Sequence, residues 1–250
     1  MTRRVATRPR DYVGVAGPDA EDFLQRMLSN DVTSAPCRAL LLTPKARVIA
    51  PVTVVRRAED DFLLLTEPGL GEPVTSTLLR ARFAAKVKIE QEEHTSVVAF
   101  GEEEGIPNRE FGEAASELLD AGVEPTLSGE ELEQLRIEAG MPAWGKEIDD
   151  SILPAEAGLD ETHVSFTKGC YPGQEPIARL RHRGKVNRIL RVLEVEDASQ
   201  GDEIRVSDKV VGRVTSAAGG RALAYVRVEV PLDAQLAVGA DRKTGRALTA

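Results

Sequence analysis

Apolar residues recur at intervals of three and four in two segments of the amino-terminal half. Residues 17–30 and 72–83 both show this spacing, which predicts two amphipathic helices. A third helix is predicted over residues 110–122. A fourth is predicted to begin at Ser128, because the sequence Ser-Gly-Glu-Glu matches a capping box. In this motif, the first and fourth residues each accept, through the side chain, a hydrogen bond from the backbone N–H of the other.

Short segments rich in Val, Ile and Leu predict β-strands. The first set comprises residues 39–43, 47–57, 61–66, 86–90 and 95–100. A second set follows residue 185 and comprises residues 188–195, 203–206, 210–216 and 222–228. Together with the helices, the first set predicts an α+β domain with an antiparallel sheet, whereas the second predicts a small β-barrel or sandwich.

Composition and charge restrict the class of protein. The 250 residues are 42% apolar and 29% charged, which excludes a disordered or fibrous chain. The net charge of −9 argues against general affinity for nucleic acid or an anionic membrane. No apolar run approaches the roughly 20 residues that span a bilayer. Residues 1–10 are rich in arginine but lack the apolar stretch of a secretory signal, so we expect a cytoplasmic protein with a short, basic, frayed leader.

The sequence contains two cysteines, Cys37 and Cys170, without the spacing of a zinc site. Because two such cysteines give no disulfide framework, we expect a reducing compartment. The three histidines are scattered, so we expect no metal site. The glycine-rich motifs that bind dinucleotides or nucleotide phosphates do not occur in the sequence.

Residues 168–175 read Lys-Gly-Cys-Tyr-Pro-Gly-Gln-Glu and are the strongest candidate for chemistry. Their two glycines allow a sharp turn that can expose the thiol of Cys170. Lys168 and Arg179 supply positive charge that would stabilise a thiolate. The alternative is a turn around a buried structural cysteine, and spacing alone favours neither.

Cations then follow at alternate positions: Arg179, Arg181, Arg183 and Lys185. In an extended strand they would share one face and form a positive stripe that can receive phosphate or a chain of carboxylates such as polyglutamate. The alternative is a solvated edge strand that its charge protects from aggregation.

A third candidate is the sequence Arg-Ile-Glu-Ala-Gly at residues 136–140, which is followed by Trp144. The carboxylate of Glu138 and the indole of Trp144 offer a hydrogen-bond acceptor and a stacking face for a flat heterocycle. The alternatives are that Glu138 is an ordinary salt-bridged helix residue and that Trp144 is a core anchor.

These motifs resemble the folate-binding YgfZ family, which is related to the glycine-cleavage T-protein. The resemblance rests most strongly on residues 168–175. Further similar segments are residues 23–25, 29–32, 41–49, 136–140, 154–159, 164–166 and 211–217. The resemblance therefore extends over about residues 13–228, nearly the whole chain.

This resemblance implies a T-protein-like α+β fold with antiparallel sheets and helices. The folate-binding body would occupy residues 1–180, and a small β-barrel would occupy residues 181–250. It also implies tetrahydrofolate or a one-carbon-substituted folate as cofactor. The implied partners are folate and iron–sulfur enzymes or cluster-assembly proteins, without nucleic acid or membrane.

The resemblance assigns roles to individual residues. Cys170 would be the functional thiol, with Lys168 as its catalytic neighbour. The residues expected to bind the cofactor or shape its surroundings are Glu138, Trp144, Tyr171, Gln174, Glu175 and Arg179.

One departure from T-proteins affects the expected function. T-proteins carry an aspartate that assists attack by the folate nitrogen, but Ala50 and Pro51 stand at the matching positions and neither can accept a proton. We therefore expect a folate-binding accessory protein that supports iron–sulfur cluster assembly or repair through Cys170. The alternatives are a folate-dependent aminomethyl or methyl transferase of the T-protein type and a scaffold in which Cys170 is structural. Whether the chain is an enzyme stays open.

Overall fold

The computed structural model of the protein describes residues 3–248, except for the side chain of Arg183. The helices are α1 (Ala20–Met27), α2 (Gly71–Ala81), α3 (Gly129–Glu138) and α4 (Gln174–Arg183). Short 3₁₀ turns lie at Val32–Ser34 and Pro154–Glu156. The strands are β1 (Val5–Thr7), β2 (Asp11–Ala16), β3 (Cys37–Leu42), β4 (Val48–Ala58), β5 (Asp61–Thr66), β6 (Lys88–Glu92), β7 (Ser96–Phe100), β8 (Ile106–Asn108), β9 (Ala115–Leu119), β10 (Arg188–Glu194), β11 (Glu203–Val206), β12 (Lys209–Ala218), β13 (Arg221–Arg227), β14 (Leu236–Val238) and β15 (Lys243–Ala247).

The strands form antiparallel sheets. One sheet has the order β3-β4-β5-β2-β6, a second has the order β1-β7-β9-β8, and β10 to β15 close into a barrel. The predicted α+β class and the predicted carboxyl-terminal barrel are confirmed. The predicted division between residues 180 and 181 falls inside α4 and stays a prediction. Within residues 3–248, no helix is long and apolar enough to cross a membrane.

The first core cluster lies where α1 and α2 pack on the five-stranded sheet. Phe23 and Leu24 of α1 and Val74 and Leu78 of α2 belong to one group of buried apolar side chains, together with residues of that sheet. Burial of apolar area at roughly 25 cal/mol per Å² holds both helices in place. The helical spacing of the sequence therefore predicts these helices because it describes their buried faces.

A β-bulge in β4 divides the buried side chains between two clusters. Leu41 of β3 pairs with Ala50, whereas Leu42 pairs with Val48, so Ile49 is the extra residue. Ala50 consequently faces the first core cluster, and Val48 faces a second one.

The second core cluster joins three parts of the fold. It contains Leu40 and Val48 of the five-stranded sheet, Tyr171 and Ile177 from the segment around the start of α4, and Tyr225 of β13. Because all five side chains are buried together, the sheet, this segment and the barrel are packed as one core.

The helix predicted over residues 110–122 is wrong, because this segment forms β9 and pairs with β7. Phe111 packs against Phe100 with 5.9 Å between the ring centroids. Residues 115–117 are all buried, which suits a strand covered on both faces better than an amphipathic helix. Pairing with β7 therefore outweighs local helix propensity.

Two expectations about cationic segments are also wrong. The frayed leader is ordered over residues 3–10, since β1 pairs with β7 and Arg10 is buried among carboxylates; Met1 and Thr2 lie outside the described residues. The segment with alternating cations, which the sequence predicts as an edge strand, over most of its length forms the helix α4, up to Arg183. Positions two apart on a helix differ by about 200°, so Arg179 and Arg181 do not share one face. The side chain of Arg183 lies outside the described part.

The capping box predicted at Ser128 is confirmed at the start of α3. The Ser128 hydroxyl accepts a hydrogen bond from the Glu131 backbone N–H at 3.2 Å, and the Glu131 carboxylate accepts one from the Ser128 N–H at 2.7 Å. This arrangement fixes the start of the helix that carries Arg136 to the barrel.

Glu147 links α3, the following loop and the barrel. Its carboxylate is 0% exposed and lies 2.9 Å from Nη1 of Arg136. It also accepts hydrogen bonds from the Ser216 hydroxyl at 2.6 Å and the Ala143 N–H at 3.0 Å. The Tyr225 hydroxyl donates to the Glu147 carbonyl at 2.7 Å. The bonds to Arg136, Ser216 and Tyr225 therefore tie the loop that carries Glu147 to α3 and to the barrel.

We expect Glu147→Gln to lower the free energy of unfolding by about 3 kcal/mol, because removing one charge of a buried pair leaves the other incompletely compensated. The matched control is Glu124→Gln, which removes the same charge from an exposed position. It should change the free energy by less than about 0.5 kcal/mol. Urea unfolding measures both, and equal values for the two variants would contradict the assignment.

Candidate functional site

A narrow cavity, here called the central cavity, lies beside the five-stranded sheet. Residues of β3, β4 and β5 line it together with residues 141–144 and Ile148. Its volume is about 40 Å³, more than the roughly 10–15 Å³ that a cavity needs to hold one water molecule. The chemistry of its walls decides what can enter.

Trp144, the only tryptophan in the sequence, lines the central cavity. Gly145 follows it with φ +77°, and the Gly145 N–H donates to the Ile148 carbonyl at 2.8 Å. This tight turn directs the indole between the two core clusters, and it packs against both. The indole is consequently a fixed apolar wall, which suits stacking on a flat ligand.

A network of arginines and carboxylates forms another wall. Arg8 contacts Glu67 at 2.6 Å and Glu110 at 3.0 Å. Arg10 contacts Glu67 and Glu110 at 2.8 Å each and Glu117 at 3.0 Å. The arginines hold the pKa of Glu110 well below its ordinary value despite burial, so this carboxylate stays ionised at neutral pH.

Sequence reasoning missed this network. Arg8 and Arg10 alternate as they would on one face of a strand, and this spacing was the available signal. Nothing local marks Glu67 or Glu110, because each reaches the arginines only through sheet topology.

Arg38 and His163 supply polar groups to the same cavity. Nη1 of Arg38 is buried and has no hydrogen-bond partner within the described residues. Burial and the nearby Arg38 charge lower the pKa of His163 to about 3, so its imidazole is neutral at pH 7. The cavity thus contains a buried cationic donor whose hydrogen-bonding capacity is unused.

Two positions that the sequence marked as departures lie in this region. Pro51 lines the central cavity, whereas Ala50 is fully buried in the first core cluster. The carboxylates that line the cavity are Glu67 and Glu110, and both are held by arginines. A free carboxylate base is therefore missing from the described wall.

Glu138 lies away from the central cavity. Its side chain is exposed at the end of α3, where Oε1 accepts a hydrogen bond from Gln134 Nε2 at 2.8 Å. It lines a different depression with Glu194 and Glu196 of the barrel region. The structure does not bring Glu138 and Trp144 to one pocket, and a cofactor-binding role for Glu138 stays a prediction.

Lys168 does not approach Cys170 as a thiolate partner. Its Nζ donates to the carbonyls of Gln25 at 2.6 Å, Leu28 at 2.7 Å and Asn30 at 2.9 Å, at the carboxyl end of α1. Burial lowers the pKa of Lys168 to about 8, so the amine is still largely protonated at pH 7. Its charge therefore caps the negative end of a helix.

The turn that carries Cys170 is anchored on both sides of the cysteine. Tyr171 is buried, with Nζ of Lys168 at 5.4 Å from its ring centroid. Gly173 has φ +86°, and a Cβ there would lie 2.8 Å from the carbonyl oxygen of Thr43. Cys170 itself is exposed with a free thiol. A glycine at 173 is thus required for the turn to pack while the thiol faces solvent.

The other predicted site residues lie on α4. Gln174 and Glu175 occupy its first turn, and Arg179 lies one turn further on. Arg179 is exposed and lines a cleft separate from the central cavity. The structure therefore groups Trp144 with the central cavity and Arg179 with the cleft, and the binding roles of these residues stay predictions.

The barrel and most of the chain resemble known proteins. Residues 187–250 match the family described as CAF17, C-terminal beta-barrel domain. A tRNA-modifying protein YgfZ from Edwardsiella ictaluri is 26% identical, over 93% of this chain and 86% of that protein. The chain is therefore similar to YgfZ proteins over most of its length, and its fold is T-protein-like. An uncharacterized Haemophilus influenzae protein is 29% identical, over 87% of this chain and 85% of the relative.

A solved structure extends the comparison to the fold. The glycine cleavage system aminomethyltransferase T from Bartonella henselae superposes with a TM-score of 0.83. The match covers 99% of this chain and 85% of the other, at 18% sequence identity. The T-protein-like fold that the motifs implied is confirmed.

We expect Lys168→Met to lower the free energy of unfolding by about 2 kcal/mol, because three carbonyls lose a charged donor while the apolar stem is kept. Lys45→Met is the control, since Lys45 is exposed in the turn before β4. Urea unfolding at pH 7 measures the difference. A loss no larger than that of the control would show that Lys168 does not cap α1.

Proposed function

We propose that the chain acts in the cytoplasm as a folate-binding accessory protein that supports iron–sulfur cluster assembly or repair. The observation that carries the cofactor proposal is the pairing of a fixed indole with an unsatisfied guanidinium in one cavity, Trp144 and Arg38. A reduced pterin has a flat face that stacks on an indole and a ring carbonyl that accepts from a guanidinium. The YgfZ relative and the T-protein-like fold support the same cofactor.

The walls fit tetrahydrofolate or a one-carbon derivative in chemistry, but the free volume is small. At about 40 Å³, the cavity admits a bicyclic ring only after lining side chains move. Met141 is suited to this movement because its unbranched side chain repacks easily. When bound, the folate would carry a one-carbon unit on its ring nitrogens. Arg38 would orient the ring, Trp144 would cover one face, and the apolar walls would exclude water.

The structure gives less support to aminomethyl transfer. That reaction needs a group that accepts a proton beside the folate nitrogen. Glu110 is held ionised by Arg8 and Arg10, and a carboxylate with a strongly lowered pKa is a weak base. Ala50 and Pro51 offer no substitute. The described residues therefore favour folate binding without a transferase reaction.

Cys170 is the thiol proposed to act on the iron–sulfur side. It is exposed, whereas Cys37 is half-buried, and burial raises the pKa of Cys37 to about 11. A protonated, shielded thiol is a poor ligand and a poor nucleophile at pH 7. Cys170 is therefore the cysteine available to a partner, and one thiol cannot by itself supply the four ligands that usually hold a cluster. The proposed role is transient ligation or group transfer with a partner.

We expect 5-formyltetrahydrofolate, a stable reduced folate, to quench the fluorescence of Trp144 with saturation. Arg38→Met should weaken binding about tenfold, which corresponds to one lost charged hydrogen bond of about 1.4 kcal/mol. Arg80→Met, at an exposed site on α2, should bind as the wild type does. The titration measures both affinities. Absence of saturable quenching in the wild type would refute the cofactor proposal.

We expect Cys170→Ala to fold and bind 5-formyltetrahydrofolate normally, because the exposed thiol contributes little packing. In cells that lack the wild-type chain, this variant should fail to restore the activity of a dependent iron–sulfur enzyme. Cys37→Ser, at the half-buried thiol, should restore it. Full restoration by Cys170→Ala would assign the motif a structural role instead.

A further inference from the structure

A second, larger cleft lies between α4, the loop around Pro154 and the edge of the barrel. Its volume is about 890 Å³, within the range of roughly 300–1,000 Å³ typical of small-molecule sites. Its apolar lining includes Leu153, Ile177, Leu180 and Val228. None of these residues lines the central cavity, so the two spaces are separate.

The walls of this cleft are held by contacts elsewhere in the fold. Glu156 accepts hydrogen bonds from Arg188 Nε at 3.1 Å and from the Leu153 N–H at 3.2 Å, which ties the loop to the barrel. Ile177 is anchored in the second core cluster. The cleft is thus largely formed before any ligand arrives, which lowers the entropic cost of binding.

Three cationic side chains also line this cleft, those of Arg179, Arg181 and Lys185. Arg179 and Lys185 are exposed cleft residues, and neither forms an ion pair within the described part of the chain. Arg181 lies with its guanidinium carbon 3.7 Å from the Phe166 ring centroid. In a chain of net charge −9, unpaired cations gathered at one apolar cleft form a local exception.

Two carboxylates line the same cleft as these cations. Asp160 and Glu161 both line the cleft. Burial raises the pKa of Asp160, and the Arg181 charge opposes that shift, so Asp160 and Arg181 lie within electrostatic reach of each other. Arg181 is therefore partly compensated, and Arg179 and Lys185 are the cations available to a ligand.

We propose that this cleft binds a small amphipathic anion, a molecule with an apolar acyl or aryl body and one carboxylate or phosphate head group. The apolar body lies against Ile177, Leu180 and Val228, and the head group meets Arg179 and Lys185. Apolar burial supplies most of the binding free energy, and the two cations select the sign of the charge. This site is independent of the proposed folate cavity.

Calorimetric titration with decanoate tests the proposal. We expect saturable binding at one site and at least tenfold weaker binding of decylammonium, which has the same chain and the opposite charge. Titration with decyl phosphate distinguishes the two head groups, and the tighter of the two anions identifies the preferred one. Trp144 fluorescence should not respond, because Trp144 lines the other cavity.

The double variant Arg179→Gln/Lys185→Gln should weaken anion binding at least tenfold. Its matched control is Arg80→Gln/Lys86→Gln, which removes two exposed cations near the end of α2. Ala155→Trp places a large side chain in the cleft and should abolish binding. Equal affinity for decanoate and decylammonium would overturn the proposal. Unchanged affinity in the Arg179→Gln/Lys185→Gln variant would also overturn it, and this surface variant retains the buried core.

Discussion

The buried carboxylate of Glu147 is the contact on which the arrangement of the molecule depends. It is the common partner of Arg136 on α3 and Ser216 on β12, while Tyr225 on β13 donates to the carbonyl of the same residue. Three residues before it, Trp144 enters the central cavity. The same loop therefore sets both the orientation of the indole and the position of the barrel. Other packings would leave the buried charge of Glu147 unpaired, so this charge makes the arrangement specific.

Much of this fold is predictable from local pattern. The helices α1 and α2 follow from apolar spacing, the start of α3 follows from Ser128, and four barrel strands follow from short apolar runs. The failures have a common physical cause. The strand at residues 115–119 and the buried arginines near the amino end are stabilised by partners about 20 to 110 residues away in sequence, such as β7 for the strand and Glu117 for Arg10. Local propensity contains no information about such partners.

In the candidate site, too, some features are predictable from the sequence and others depend on tertiary packing. The motif around Cys170 marks a real turn, with a buried tyrosine, a required glycine at 173 and an exposed thiol. The motif does not reveal in which direction the candidate side chains point. Lys168 points to the end of α1 rather than to the thiol, and Glu138 faces away from the cavity that Trp144 lines. Residue type and spacing identify which groups are present, whereas tertiary packing decides which of them meet.

The contrast between the two cysteines also has a practical consequence. Cys37 is partly enclosed and holds its proton with a pKa of about 11, while Cys170 is open to solvent. A soft electrophile at neutral pH would therefore modify one position of the native chain without any engineered substitution. The molecule carries a built-in attachment point for a spectroscopic label or crosslinker, located in the motif whose encounters with partners are of greatest interest.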